Sequence, residues 1–231
     1  MDATERLSAW LRQHPQAIGK VVDFNAATDK LYPLDLTANN RELTAAILGD
    51  VTQFSRWVTQ KLAANRCRYA IGGYMELRII YGNREQFRTD GLEHRNLHLG
   101  VDIWGDADTP VYAPLPGVIH SFQDNNHFGD YGPTIILQHD LDGFTLYSLY
   151  GHLSRKNLTG LSIGQPVTAG QLIANLGDVH ENGNWPPHLH FQLMLDMQGN
   201  LGDFPGACKP SEREKYSEII VDPGVALGNL G

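Results

Sequence analysis

From about residue 95 the apolar residues recur with a period of two, in short stretches too closely spaced for helices to fit between them. The stretches are Pro110–Ala113, Val118–Phe122, Thr134–Gln138, Phe144–Tyr150, Gln171–Leu176 and His188–Leu195. Turn signals separate them: Leu115-Pro116-Gly117, Asp142-Gly143, Ala169-Gly170, Trp185-Pro186-Pro187 and Gln198-Gly199. Parallel neighbours need a crossover of about a dozen residues or more, so this spacing predicts antiparallel pairing. The 24 glycines and 12 prolines fit a chain of many turns and short strands.

The residues before about 90 follow a different period. Leu7, Trp10 and Leu11 lie three and four apart and predict a short helix that Pro15 helps to end. Asn39 followed by Glu42 resembles a capping box, and Leu43, Ile47, Val51, Phe54, Val58 and Leu62 trace one helical face. Gly72 and Gly73 interrupt that pattern. The expectation is a helical segment over residues 1–90 and a mainly β domain over 91–231, an antiparallel sheet or sandwich.

Composition excludes some classes. With 42% apolar residues in 231, the chain has material for a core and is not disordered throughout. A net charge of −8 argues against nucleic acid as the main partner. No apolar run approaches the roughly 18 residues needed to span a bilayer. The first residues lack the basic-then-apolar pattern of a secretory signal. Cys67 and Cys208 are too few for a disulfide framework and read as free thiols. The expected location is therefore cytoplasmic, and secretion would require a leader preceding this sequence.

The ten histidines carry the functional signal. His188-Leu189-His190 opens the most clearly alternating stretch. His188, His190, Gln192 and Met194 share one face, and Leu189, Phe191, Leu193 and Leu195 take the core face. Two imidazoles roughly 6–7 Å apart on one strand face can both meet a metal, or divide into a ligand and a base. Geometry alone does not choose, and a pair of surface histidines has the same pattern. His98-Leu99-Gly100-Val101-Asp102 is the second candidate. In a straight strand its two ends would stand roughly 13 Å apart, so a shared ion requires the backbone to bend, which Gly100 permits. Third is Tyr150-Gly151-His152-Leu153, where an unbroken strand puts His152 on the face of Leu146, Ser148 and Tyr150.

Taken in order within one β-rich stretch, His-x-x-x-Asp, Tyr-x-His-Leu and His-x-His resemble the lysostaphin/LytM-type zinc metallopeptidases. Intervening residues agree: Thr109-Pro110-Val111-Tyr112-Ala113-Pro114 with Gly117-Val118, and Gly164-Gln165-Pro166-Val167 with Ala169-Gly170-Gln171-Leu172. The resemblance covers roughly residues 95–200. It implies one zinc held by His98, Asp102 and His190, an open fourth position for water, and His152 and His188 as the catalytic histidines. It implies a metalloendopeptidase in which a zinc-activated water cleaves peptide bonds, with peptidoglycan peptides as the substrate class. Which imidazole acts as base is left open by spacing.

Departures from that pattern bear on the substrate. No tyrosine stands at Thr89, Asp90 or Leu92, where some members carry one. Arg95, three residues before His98, is either a solvated side chain or one that orients substrate or Asp102. The residues Tyr74-Met75-Glu76-Leu77-Arg78 and Gly129–Leu137 are similar to peptidase domains of intracellular fusions carrying a kinase-like domain and a class-III aminotransferase. Two alternatives therefore stand beside the endopeptidase: an intracellular zinc hydrolase of a small peptide or amide, and a non-catalytic binding or regulatory module. A module would be expected to lack one of the five residues. His14, His94, His120, His127, His139 and His180 lack ligand spacing and read as surface or structural, with His127 and His180 nearest to bordering a cleft.

Overall fold

The computed structural model describes residues 2–82, 84–91, 93–227 and 230; Leu92 lies outside them. The N-terminal part runs α1 (Ala3–Gln13), β1 (Leu31–Pro33), α2 (Ala45–Gly49), α3 (Val51–Asn65) and β2 (Tyr69–Gly72). The remainder is built of strands: β3 (Leu97–His98), β4 (Val101–Trp104), β5 (Pro110–Tyr112), β6 (Gly117–Asn125), β7 (Gly132–Asp140), β8 (Thr145–Gly151), β9 (Pro166–Val167), β10 (Leu172–Asn175), β11 (His188–Met194), β12 (Ala207–Cys208) and β13 (Ile220–Val221), with a one-turn helix α4 (Arg213–Ser217) before the last.

Among the described residues, the main sheet has the order β1-β2-β4-β11-β8-β7-β6-β9, with β13 added on β11. Every pair along it is antiparallel except β1–β2, which are parallel. Close spacing excludes crossovers beyond residue 95. Between β1 and β2 the chain has room for one, and α2 and α3 form it. The segment 1–90 is therefore not helical alone: its β2 pairs with β4, so the sheet runs across the expected boundary near residue 90.

The second helix also starts later than the capping-box pattern suggests. Thr44 caps α2 through Ile47 N–H, and Asp50 caps α3 by accepting from Thr52 and Gln53 N–H. Glu42 instead accepts from the Trp57 indole at 3.0 Å and from Lys61 at 2.6 Å, pinning the chain to the side of α3. Asn39 and Glu42 had the right spacing for a cap, but tertiary partners claimed the carboxylate.

The period of two in β11 translates directly into packing. Leu189, Phe191 and Leu193 enter one core with Ile103, Leu137, Leu146 and Tyr150, each fully buried. Burial of such side chains contributes about 1.5–3 kcal/mol each. The opposite face is also covered. Met194 packs there with Leu97, Leu99, Tyr131, Phe204 and Tyr216, so all seven residues of β11 are buried. That excludes a pair of solvent-facing histidines.

One interior histidine is structural, as expected. His139 on β7 faces the Pro116 carbonyl through Nδ1 at 2.8 Å and the Ser148 hydroxyl through Nε2 at 2.7 Å. Its Nδ1–H donates to the carbonyl, which leaves Nε2 to accept from Ser148. Burial pushes this imidazole down from 6.5 to about 4. The unfolded chain therefore takes up a proton at higher pH than the folded one. Stability is full above 6.5 and falls as pH drops towards 4, by on the order of 3 kcal/mol. Denaturant midpoints at pH 7 and pH 5 should show a smaller loss for His139→Gln than for the wild type. An equal loss in both would remove His139 as a source of acid sensitivity.

Candidate metal centre

Three adjacent strands converge on one spot. β11 lies between β4 and β8, with His190 opposite Asp102 on one side and Gly151 on the other, and His188 opposite Trp104. His98 ends β3, and the two-residue break at Leu99-Gly100 turns the chain so that His98 and Asp102 meet. Gly100 serves a different purpose from the one its sequence context suggests. Its φ is not left-handed, but an added Cβ would stand 2.7 Å from the His190 ring and 2.7 Å from the Phe191 carbonyl. It makes room for the imidazole of the neighbouring strand.

His152 reaches the site by breaking its strand. Regular alternation would send it to the Tyr150–Phe191 core. Instead its backbone is left-handed at φ 62°, held by His152 N–H to the Tyr131 carbonyl at 2.8 Å and Gly177 N–H to its own carbonyl at 2.9 Å. The ring then lies with its centroid 4.1 Å from that of His188. A non-glycine residue held in this region stores strain, a feature concentrated at functional sites.

The inward atoms of His98, Asp102 and His190 form a nearly regular triangle. His98 Nε2 is 3.0 Å from His190 Nδ1 and 3.2 Å from Asp102 Oδ1, and His190 Nδ1 is 3.1 Å from Asp102 Oδ1. Their outer bonds determine what faces inward. His98 Nδ1 meets the Gly73 carbonyl at 2.9 Å and must carry the proton there. His190 Nε2 meets Gln192 Oε1 at 3.0 Å, and Gln192 donates its amide to the Pro205 carbonyl, which orients that oxygen as acceptor. Both inward nitrogens are then lone pairs, aimed at each other and at a carboxylate oxygen. Three acceptors this close repel unless a cation lies among them. Bonds of about 2.0–2.1 Å to a tetrahedral zinc would separate ligand atoms by about 3.3 Å, close to the observed edges. Among the described residues these three form a group able to hold a metal ion.

Electrostatics agree with that protonation. Burial and the neighbouring Arg78 charge push His98 down to about 4. Burial alone would raise the Asp102 carboxyl, but the charge of the adjacent Arg78 guanidinium overrides it and holds the carboxyl well below its ordinary value.

His188 and His152 are prepared alike. Each donates Nδ1–H to a backbone carbonyl at 2.8 Å, Pro186 and Asn182 respectively, leaving Nε2 unprotonated. Burial lowers His188 to about 4 and, with His188 beside it, His152 well below its ordinary range. Trp104 stacks on His188 with centroids 4.0 Å apart. Asn182, fully buried, donates to the Gly177 and Trp185 carbonyls and accepts from Trp185 N–H, locking the loop that presents both carbonyls. The two histidines share a cleft with Tyr131, Trp104, Trp185 and Phe204.

All five expected residues thus come together. The remaining histidines stay apart: His94, His127 and His180 are exposed and outside the cleft lining. Arg95 lines the cleft but donates to the Ala207 carbonyl, and the arginine on Asp102 is Arg78. Sequence reasoning missed Gly73, Arg78, Asn182 and Gln192. Gln192 had a signal, since it shares the face of His188 and His190. Arg78 closed the stretch Tyr74–Arg78 that carried a resemblance, but with no role attached to it, and Gly73 and Asn182 had no signal.

Residues 96–200 match the sequence pattern of Peptidase family M23. No curated protein sequence matches the chain. Among solved structures, the catalytic domain of the antimicrobial peptidase lysostaphin from Staphylococcus simulans is 26% identical, with 70% of this chain and 97% of that domain aligned at a TM-score of 0.41. Lysostaphin itself from the same organism is 30% identical, covering 52% of this chain and 45% of that one at 0.34. A variant catalytic domain of the prophage-encoded protein EnpA from Enterococcus faecalis is 22% identical, covering 59% and 83% at 0.38.

The close approach at Gly100 makes a direct test. Gly100→Ala should push the His190 ring out of the triangle and weaken uptake of a divalent metal at least about tenfold, the scale of a disturbed ligand environment. Gly49→Ala, where nothing lies within 4 Å, is the control and should bind as the wild type does. Metal titration of both variants decides; unchanged affinity in Gly100→Ala would mean that His190 is not a ligand.

Proposed function

Because residues 96–200 form a domain of peptidase family M23, we propose that this protein is a zinc-dependent metalloendopeptidase that hydrolyses peptide bonds in peptidoglycan-derived peptides. The observation that carries the reading is the triangle of unprotonated acceptors on His98, Asp102 and His190. Zinc bound by these three residues supplies Lewis-acid polarisation and a water of near-neutral pKa.

The chain's own residues do the rest. The unprotonated Nε2 of His188 or His152 accepts the proton of the attacking water. The Nδ1–H bonds to Pro186 and Asn182 hold each ring in the tautomer that can do so. The protonated ring then donates to the departing amine, while the second imidazole stands beside the carbonyl oxygen as negative charge develops on it. Burial favours return of that proton, because both rings are more stable uncharged. The presence of all five side chains supports an enzyme over a binding module.

A second reading concerns the size of the substrate. Ile80, Tyr81 and Phe87 of the N-terminal segment line the same cleft as Phe204 and Pro205, with Arg95, Asp130 and Asp203, and so add a wall beside the histidines. That setting favours a short peptide over a cross-linked polymer. Assay on purified cell wall against short glycine- or D-amino-acid-containing peptides separates the two. A cytoplasmic location belongs to this second reading and is checked by fractionation.

His188 and His190 give the sharpest test of the mechanism. The wild type should hold about one zinc per chain, removable by chelators. His190→Ala should lose zinc and activity together. His188→Ala should keep its zinc while turnover falls roughly 10²–10⁴-fold, the usual worth of a positioned acid–base group. No transition metal after zinc reconstitution would remove the enzyme reading. Equal zinc loss from both variants would mean that both rings chelate.

A further inference from the structure

The family match begins at residue 96, yet the side chain that engages the second oxygen of Asp102 comes from before it. Arg78 is 1% exposed. Its Nη1 donates to Asp102 Oδ2 and to the Tyr81 hydroxyl at 3.3 Å, and its Nε donates to Glu76 Oε2 at 2.8 Å. Gly72, the last residue of β2, makes room for it. Gly72 is the cross-strand neighbour of Asp102, and a Cβ there would stand 2.8 Å from Arg78 Nη2. The slot that a side chain on β2 would fill is taken by a guanidinium instead.

This arrangement separates the two oxygens of one carboxylate. Oδ1 faces His98 Nε2 and His190 Nδ1, while Oδ2 is held away by a charge-assisted bond. A carboxylate free to turn can offer a cation both oxygens, and the second would take the position that water needs. The same oxygen is also 3.9 Å from His188 Nε2.

We infer that Arg78 is a positioning residue that reserves Oδ2 of Asp102, so that this carboxylate gives the metal one oxygen and leaves the fourth coordination position free. The inference rests on the zinc reading above. It also makes the segment before residue 96 part of the centre, since Gly73 orients His98 from the same turn. The arrangement favours an open site over the tightest one. A cationic neighbour opposes a divalent ion, and a single oxygen binds more weakly than two.

Cobalt(II) in place of zinc reports coordination number through its visible absorption, which is intense for four ligands and weak for five or six. The wild type loaded with cobalt should give the intense spectrum. Arg78→Met should still bind metal, with affinity equal or higher, but with the visible band reduced at least about twofold as Asp102 supplies both oxygens. Turnover with zinc should fall about tenfold or more, with KM changed less than about threefold. Glu76→Gln/Arg78→Met removes the stranded glutamate charge and gives a second variant should the first not fold. Arg78→Lys, a point charge without the fork, should restore part of the band and part of the rate.

A wild-type cobalt spectrum of the weak type overturns the inference without any variant. So does an intense spectrum in either methionine variant, or loss of metal binding from a folded one, which would indicate a structural role alone. A wild type that binds no metal fails the zinc reading instead, so the two failures are distinguishable.

Discussion

Three buried acceptor atoms held 3.0–3.2 Å apart are the constraint around which this protein is organised. Uncompensated, such an arrangement is costly, because each lone pair has lost water and faces another lone pair. It persists because the surroundings over-determine it. Gly73 and Gln192 hold the two rings from outside, Arg78 holds the carboxylate, and strand pairing places His190 opposite Asp102. Each support fixes an orientation or a proton. Together they convert a buried polar cluster, ordinarily a liability, into a preorganised group able to hold a cation.

The sheet supplies rigidity because both of its faces are covered. Leu189, Phe191 and Leu193 anchor β11 in one core, and Met194 with Tyr131 and Phe204 closes the other. The histidine rings between these layers have little freedom to turn. The exceptions to regular strand geometry fall where chemistry needs them: the break at Leu99-Gly100 and the left-handed His152. The same burial keeps His152 and His188 unprotonated at neutral pH. One physical effect thus accounts for both the stiffness of the site and the protonation state of these two rings.

The segment before residue 96 is joined to the site in two ways. Its β2 extends the sheet through β4, and the turn after β2 delivers Gly73 and Arg78 to the outer side of His98 and Asp102. Its expected separation as a helical unit followed from a change in hydrophobic period. Strands as short as β1 and β2, three and four residues, scarcely register in such a pattern. A charged Arg78 in an interior is equally hard to foresee, because its partner Asp102 is recognisable as one only once the chain has turned back on itself.

What the sequence determined by itself was whatever depends on near neighbours. The two-residue period of His188–Met194 assigned His190 and Leu189 to opposite faces, and turn residues marked the strand ends, because side-chain direction in a strand follows from backbone geometry alone. Motif resemblance singled out the five residues that the fold brings together. Tertiary structure decided the rest. Whether His188 and His190 face water or interior depended on what covers the second face of the sheet. The direction of His152 depended on a φ of 62° that two long-range hydrogen bonds impose. The use of Gly100 depended on a ring from another strand, and the capture of Glu42 by Trp57 and Lys61 overrode a local cap. In each case the deciding partner lies far along the chain, and its effect is set by distance in space, which pattern along a sequence does not encode.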